Sequence, residues 1–523
     1  MRRSGCLRNA RDAVPIEPHL PCDLVVGDAF ALAQAIDDQT GVNGGALKLL
    51  VLTSSGELLG PACIGGRVAI DVSVALDAPT FRKQSLPPGP RLPPALQAIM
   101  RVWRFAEFSD RGHERYGDTF TVRIGGLPTG VLTKDRDAIR RLFTGDPLLK
   151  RHSNDLLRTF VGDQSLLVLE PSEHIVRRKM LSPPFHGERV RSYALLMERL
   201  VADELDRLRP GEVVSMQRIA QGLTLEVILQ AVLGVSDVAL RNRLRRLFDA
   251  LNTPLNAFAL FVPALSRRSR WNLLSRRPWR LKDELDTLLF AHIAATRNDA
   301  RLGEREDILA MMVAARDEDG IGLDDQQLRD ELVTLIAAGH ETTATAIAWG
   351  VELLVHNPAV MASARAGDED YLEALVKEIL RIRAPSPIGG ARHMIEPFEI
   401  GDWTIPPNVS IIVDAYAVHN DPETYPEPHL FRPERFLGPS ADAYSLLSFG
   451  GGAHRCIGAS LAQLEMKIVL REILARLDLA PVSDALARPV PRGPTLAPRG
   501  GAKVRVLGQR TPTRNDTATA AAV

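Results

Sequence analysis

From Pro94 to Ala384 the apolar positions recur mostly at helical spacing. The clearest run is Asp324 to His356, where Leu328, Leu332, Leu335 and Ile336 share a face. It predicts a helix unusually long for a globular protein. Tyr371 to Arg383 predicts a shorter helix, stopped by Pro385 and Pro387. A third begins just after Cys456 and carries Leu461, Leu464, Ile468 and Leu470. Thr119 to Ile124 alternates like a strand before Gly125-Gly126 and predicts the start of a small sheet. His419 to Phe436 is rich in proline and aromatic residues and too irregular for either regular structure.

The ends read differently. Residues 1–85 hold no sustained period; β-branched pieces such as Val68-Ala69-Ile70-Asp71-Val72 alternate with glycine-rich breaks. No chemistry is visible there, and an upstream start codon is favoured over a small appendage. Leu86-Pro87-Pro88-Gly89-Pro90 is a stiff lead into the main domain, 86–506, because consecutive prolines hold the backbone extended. The polar, alanine-rich tail, 507–523, is expected to be disordered.

Composition narrows the class only a little. The 523 residues are 45% hydrophobic and 24% charged, ordinary for a globular protein with a large core. A net charge of +0 gives no overall attraction to nucleic acid or to an anionic membrane. No apolar run is long enough to span a bilayer, so no transmembrane segment is expected; Leu49–Gly56 and Leu58–Gly66 are short and bounded by Glu57 and Arg67. Arg2 and Arg3 do not open a signal peptide, because Asp12, Glu17 and Asp23 fall where its apolar centre would lie. Cys6, Cys22 and Cys63 are near the N-terminus and Cys456 stands alone after them. The region from Phe81 onward therefore forms no internal disulfide, which fits a reducing, cytoplasmic setting. No flavin- or nicotinamide-type glycine fingerprint opens a helix after a strand.

A lone cysteine is usually a small buried apolar residue. The neighbours of Cys456 argue otherwise. In Phe449-Gly450-Gly451-Gly452-Ala453-His454-Arg455-Cys456-Ile457-Gly458, three glycines precede the thiol and one follows two residues later. Such a loop turns tightly and allows close backbone approach. The helix after it would turn free N–H groups and its positive dipole end toward the sulfur, favouring thiolate, the form that binds metal. A tetrahedral zinc site would need distant ligands with no visible spacing. A single thiolate suits an iron whose other positions come from a porphyrin.

This loop resembles that of the cytochrome P-450 family: phenylalanine, two residues, glycine, one, arginine or histidine, one, cysteine, one, glycine. The resemblance makes Cys456 the metal ligand, sets Phe449 and Gly450 beside the thiolate, and gives His454 to a haem propionate. Ala338-Gly339-His340-Glu341-Thr342-Thr343, in the middle of the long helix, resembles the family's oxygen-side motif. Small residues around Gly339 leave room for a flat cofactor or ligand. Thr342 can bond a carbonyl one turn back and loosen the helix locally. Glu341 is an acid where the pattern predicts core, so it needs a partner or takes up a proton. By resemblance the pair is catalytic, Thr342 holding dioxygen and water and Glu341 delivering protons; His340 is read as structural. Glu378 and Arg381, three apart on one helix face, and Arg435 in Phe431-Arg432-Pro433-Glu434-Arg435-Phe436 resemble the family's buried bracing trio. His174 and Arg178, four apart on a helix, and Arg392 match basic residues used on propionates; Arg177 is the rival to Arg178.

The resemblance spans about Leu86 to Val506. It implies a mainly α fold, the cytochrome P-450 fold, a helical prism with a small β-rich region. It also implies haem (heme b, iron protoporphyrin IX) as cofactor, and a bacterial-type haem-thiolate monooxygenase that inserts one atom of O2 into an apolar small-molecule or lipid-like substrate. Electrons are expected from a ferredoxin or flavodoxin with an NAD(P)H-dependent reductase. The substrate side would include Leu335, Ile336, Ala338, Ser386 to Gly389 and Asn252 to Ser266. The last is apolar with Arg267, Arg268 and Arg270 following, a composition that could also touch a membrane peripherally. The alternatives are a haem-thiolate isomerase or peroxygenase, a non-catalytic haem sensor, and a haem-free helical scaffold.

Overall fold

The computed structural model describes residues 86–510, apart from 124–127, 152–153, 155–156, 252–272, 439–441, 443 and 494. The expectations for 1–85, for Asn252–Ser266 and for the tail beyond 510 fall outside these residues. Helices dominate, joined to a five-stranded sheet and three smaller ones. The main core is a continuous apolar cluster threaded by the long helix, which spans Asp325–His356 and is about 48 Å long. Asp324 caps it: its Oδ1 accepts from the Gln327 amide at 2.8 Å while Gln327 Oε1 accepts from the Asp324 amide at 3.0 Å. Asn357 ends it and Pro358 opens the next helix.

The shorter predicted helix spans Glu369–Ile382, starting two residues earlier than its apolar pattern suggested because the Asp368 side chain caps the Tyr371 amide. The helix after the cysteine spans Ala459–Arg476. The predicted first strand is Thr119–Val122, and both its apolar and its polar face are buried. Phe120 and Val122 join an apolar cluster with Phe108, Leu132 and Ile412. On the other face, Thr119 shares a hydroxyl hydrogen bond with Thr133 at 2.8 Å and Thr121 donates to the Pro87 carbonyl at 2.6 Å. Polar positions can be buried here because each hydroxyl has a partner. The proline-rich lead lies along this strand, and a Cβ at Gly89 would sit 2.0 Å from the Thr121 oxygen.

The five-stranded sheet runs Thr119–Val122, Gly130–Thr133, Ser410–Asp414, Ile388–Met394, Lys150–Arg151. Its pairs are antiparallel except the parallel pair of Gly130–Thr133 with Ser410–Asp414. A second sheet sets Lys503–Gln509 between Val213–Ser215 and Leu477–Pro481. This corrects the C-terminal boundary: Leu507, Gly508 and Gln509 belong to the domain's last strand, where Gly508 and Gln509 pair with Asp478 and Leu477, and not to the tail. The hairpin Pro489–Arg492 with Thr495–Pro498 packs against the long helix.

Several core residues are polar or charged. Glu465, on the helix Ala459–Arg476, is buried, and its Oε1 has no hydrogen-bond partner among the described residues. Burial pushes its carboxyl up to about 8. A carboxyl raised in the folded state holds its proton more tightly than in the unfolded chain. Its stability contribution is therefore complete below the ordinary value of 4.5 and is lost as pH rises through about 8. Glu465→Gln should raise the thermal midpoint at pH 9 by roughly 2–5 °C and leave it nearly unchanged at pH 5. Equal shifts at both pH values would contradict the assignment.

Candidate active site

The cysteine loop wraps back on itself and on two neighbours. The Cys456 amide donates to the Phe449 carbonyl at 2.9 Å, closing the turn. Gly452 has φ +65°, and a Cβ there would lie 2.3 Å from the Phe143 carbonyl oxygen. Gly450 has φ +64° and presses on the Gly389 carbonyl, where a Cβ would approach to 2.7 Å. Both positions thus require glycine for conformation and for space. Phe449 is half-buried against the main core.

Cys456 is exposed, yet enough protein surrounds the sulfur that burial raises its thiol. The Gly458 amide and the Arg178 and Arg455 charges pull the other way. Exposure decides access: the sulfur can be reached from one side. Arg178 lies in the helix Pro171–Leu181 and feels the Cys456 charge. Its rival Arg177 is committed elsewhere, donating to Glu331 Oε1 at 3.1 Å and to the Gln164 carbonyl at 3.0 Å. The two neighbours thus leave the helix on different sides. His174, one turn before Arg178, stacks on His454 with ring centroids 3.9 Å apart.

Arg392 reaches the same loop from the strand Ile388–Met394. Its guanidinium donates to the Gly451 carbonyl at 3.2 Å and to the Ala391 carbonyl at 2.9 Å. It is buried, has no carboxylate partner among the described residues, and burial lowers it to about 10. A buried guanidinium held only by carbonyls suits an anion brought by a ligand.

On the long helix the stretch Leu328–Val355 is buried except at Leu335, Ala337, Ala338, Gly339, Thr342 and their immediate surface. Leu335, Ala338 and Thr342 fall at i, i+3 and i+7, so they form one stripe. The Thr342 hydroxyl donates to the Ala338 carbonyl at 2.6 Å. Glu341 faces another way. Its carboxylate accepts from Arg492 Nε at 2.7 Å, Gln221 at 2.7 Å and Gln217 at 3.3 Å. Burial raises it, and Arg492 and Gln221 partly offset that. His340 is also buried and lowered to about 4, chiefly by burial, with its Nδ1 3.0 Å from the Thr224 hydroxyl. A Cβ at Gly339 would lie 3.1 Å from Ile228, on the π-helical turn Ile228–Val232, so the glycine also gives room for that packing.

Behind the cysteine loop, Glu378, Arg381 and Arg435 form one hydrogen-bonded group. Arg381 Nε donates to Glu378 Oε2 at 2.7 Å, its Nη2 donates to Oε1 at 2.8 Å, and Arg435 Nε donates to Oε1 at 3.2 Å. Arg381 also holds the His419 carbonyl at 2.8 Å, and His419 Nε2 accepts the Leu447 amide at 2.8 Å. The trio is thereby tied to the segment that leads into the loop.

The partners of Glu341 and the Arg177–Glu331 pair were not read from sequence. Gln217 and Gln221 lie four apart on the helix Met216–Val227, a polar pair that could have marked a buried polar contact. Arg492 sits far along the chain and left no such signal.

The donor set fits a haem. Among the described residues no cluster of three or more His, Cys, Asp or Glu is arranged to hold a metal. What is present is a single reachable sulfur with Arg178, Arg392, His174 and His454 around its loop, a set suited to an iron porphyrin with two carboxylates.

Comparison with known proteins decides the matter. The family model for cytochrome P450 matches residues 87–500. The chain belongs to the cytochrome P450 family. It is 36% identical over 451 residues to the protein named cytochrome P450 135B1 of Mycobacterium tuberculosis, covering 83% of this chain and 94% of that one. It is also 36% identical over 398 residues to cytochrome P450 137 of the same organism, covering 75% and 83%. Among solved structures, the retinoic acid bound cyanobacterial CYP120A1 has a TM-score of 0.70 at 23% identity, covering 81% of this chain and 99% of that one. The cytochrome P450DA heme domain has a TM-score of 0.69 at 21% identity, covering 81% and 98%. The P450 fold expected from the sequence is therefore present. As a cytochrome P450 the protein is a haem-thiolate monooxygenase with haem as its cofactor. This sets aside the haem-free scaffold and the non-catalytic sensor. No helix among the described residues is long and apolar enough to cross a membrane.

Proposed function

We propose that this P450 inserts one oxygen atom into an apolar, lipid-like small molecule, with electrons supplied by a separate acidic ferredoxin or flavodoxin and its NAD(P)H-dependent reductase. The observation that carries the reading is the uncovered stripe of Leu335, Ala338 and Thr342 on an otherwise buried helix. It offers apolar contact for a substrate and a single hydroxyl beside it. When bound through Cys456, haem supplies the oxidising chemistry, which a thiolate ligand biases toward O–O cleavage. The chain's own part is different. Arg178, Arg392, His174 and His454 would hold the carboxylates of the cofactor. Thr342 keeps its proton committed to the Ala338 carbonyl, leaving its oxygen lone pairs to accept from a bound water. Glu341, raised by burial, can hold a proton within reach of the Arg492 side of the helix. Arg492 is half-exposed, so this acid lies one side chain from solvent. Arg455, exposed next to Cys456, supports an acidic electron donor on the thiol side. The retinoic acid named for the cyanobacterial neighbour is consistent with an apolar substrate of extended shape.

The reading is tested by reconstituting the haem protein with ferredoxin, its reductase and NADPH under labelled dioxygen. One labelled oxygen atom in an apolar product, with no product when the ferredoxin is omitted, is expected. Product formed from peroxide alone, and none from the reconstituted chain, would overturn it in favour of the peroxygenase alternative.

The cations carry a separate expectation. Arg178→Gln and Arg392→Gln should each speed the transfer of haem to apomyoglobin by about tenfold, from losing one charge-assisted contact. Arg177→Gln should instead lower the thermal midpoint, because it strands buried Glu331, which burial already raises to about 7. Identical haem-loss rates in the Arg177 and Arg178 variants would remove the distinction.

A further inference from the structure

Residues 162–168 cross the long helix as a turn-rich strap with neither helix nor strand of its own. The strap joins the short helix Arg158–Val161 to Pro171–Leu181, the helix that carries His174 and Arg178. Polar side chains of the long helix hold it down. Asp330 accepts the Gln164 amide at 2.9 Å, Glu331 Oε1 accepts the Leu166 amide at 3.0 Å, and Thr334 shares a hydroxyl hydrogen bond with Ser165 at 2.6 Å. Arg177 ties both sides together, donating to the Gln164 carbonyl at 3.0 Å and to Glu331 Oε1 at 3.1 Å. The fit is tight: Gly162 has φ +99°, and a Cβ there would fall 2.1 Å from the Asp330 carboxylate. Thr334, the hydroxyl anchor, directly precedes Leu335, the first residue of the uncovered stripe. Irregular segments of this kind open locally at less cost than the helices beside them.

Glu331 makes this hold responsive to pH. It is buried, and burial raises its carboxyl to about 7, with Arg177 and the Leu166 amide pulling down and Asp330 adding to the rise. Arg329, the next charge on the same helix, is tied to Asp330 at 2.7 Å and to Asp286 of the helix Leu273–Arg297 at 2.9 Å, and Lys282 completes that group. A neutral carboxyl keeps an oxygen to accept both of its bonds and brings no charge into the core. The carboxylate instead gains by reaching water. With the strap lifted the acid returns toward its ordinary value of 4.5, so the closed strap binds the proton more tightly than the open one. Closure is therefore firmest at low pH and weakens as pH rises through about 7. We infer that the strap 162–168 is a gate over the stripe and that Glu331 is its latch, closed by a proton and loosened when the carboxylate forms. The inference takes the stripe for the substrate side, as proposed above, and adds a control of entry by acidity.

The test follows the entry of tert-butyl isocyanide, a bulky apolar haem ligand with no titrating group, into the full haem-loaded chain by stopped flow. Between about pH 6 and about pH 8 the entry rate should rise about tenfold. Glu331→Gln imitates the protonated acid and should hold the slow, low-pH rate throughout. Ser165→Ala removes a bond that does not titrate, so it should quicken entry at every pH and keep the rise. Hydrogen exchange reads the latch without any variant: at the Gln164 and Leu166 amides of the wild type, corrected for the intrinsic effect of pH, it should quicken over the same range. A wild-type entry or exchange rate that is flat with pH overturns the inference. So does a rise that persists in Glu331→Gln, or entry that Ser165→Ala leaves unchanged. These measurements need neither substrate nor electron donor, so the monooxygenase reading stands or falls separately on the labelled-dioxygen experiment.

Discussion

Glu378→Gln is expected to give little or no soluble, haem-loaded protein. Both carboxylate oxygens are engaged: Oε2 by Arg381 Nε, and Oε1 by Arg381 Nη2, Arg435 Nε and the Arg432 amide. Glu378 and Arg381 are fully enclosed. Removing one charge from such a group leaves two guanidinium groups facing each other without an anion, which costs about 3–5 kcal/mol. That is a large share of the roughly 5–15 kcal/mol by which a domain is stable. The damage would also reach the cysteine loop, because Arg381 fixes the His419 carbonyl and His419 in turn receives the Leu447 amide. Arg381→Lys should fail almost as badly, since an ammonium cannot reproduce the two-pronged contact with Glu378. Arg435→Gln should be milder, because Arg435 supplies one long hydrogen bond to the carboxylate while Arg381 retains both of its own. The ratio of haem to protein absorbance and the thermal midpoint read all three. A Glu378→Gln protein with full haem content and a midpoint within about 2 °C of wild type would disprove the bracing role.

Cys456→Ala should keep much of its haem yet lose the spectrum and the chemistry that depend on sulfur. In the proposed arrangement Arg178, Arg392, His174 and His454 do not use the thiol, so the cofactor's carboxylates would keep their partners. The red-shifted absorption band of the reduced, carbon monoxide-treated protein should disappear, and NADPH-driven turnover should fall at least about a thousandfold, or about 4 kcal/mol of barrier. The side chain is exposed toward its open side, so the substitution leaves the loop's own bonds in place, among them the Cys456 amide to the Phe449 carbonyl. A variant that retained the red-shifted band would assign the axial ligand to another residue. A colourless variant with the wild-type midpoint would show instead that the sulfur, more than the cations, retains the cofactor.

Much of this site was legible because it is local. The cysteine loop is one run of ten residues, and its glycines announce close approach before any neighbour is known. The long helix advertises itself by its apolar period. The opposed fates of Arg177 and Arg178 were not legible: adjacent residues differ by about a quarter turn, and only the position of Glu331 tells which one turns inward. The same holds for Glu341. Burial of an acid could be read from the apolar pattern, but Arg492, Gln217 and Gln221 come from a hairpin and a helix that sequence does not place beside it. At Gly339 the sequence tells only that something comes close, and Ile228 is one such neighbour.

The last strand also sets an order of assembly. The Met216 amide donates to the Ala502 carbonyl and the Gln217 amide to the Gly501 carbonyl, both at 3.1 Å, and Lys503–Gln509 pairs on its two edges with segments near residues 214 and 479. Arg492, the partner of Glu341, lies in the hairpin that comes just before this strand in the chain. Contacts so far apart in sequence close a long loop, so the helix that flanks Glu341 gains its final anchors late in folding, after the more local contacts of the main core have formed.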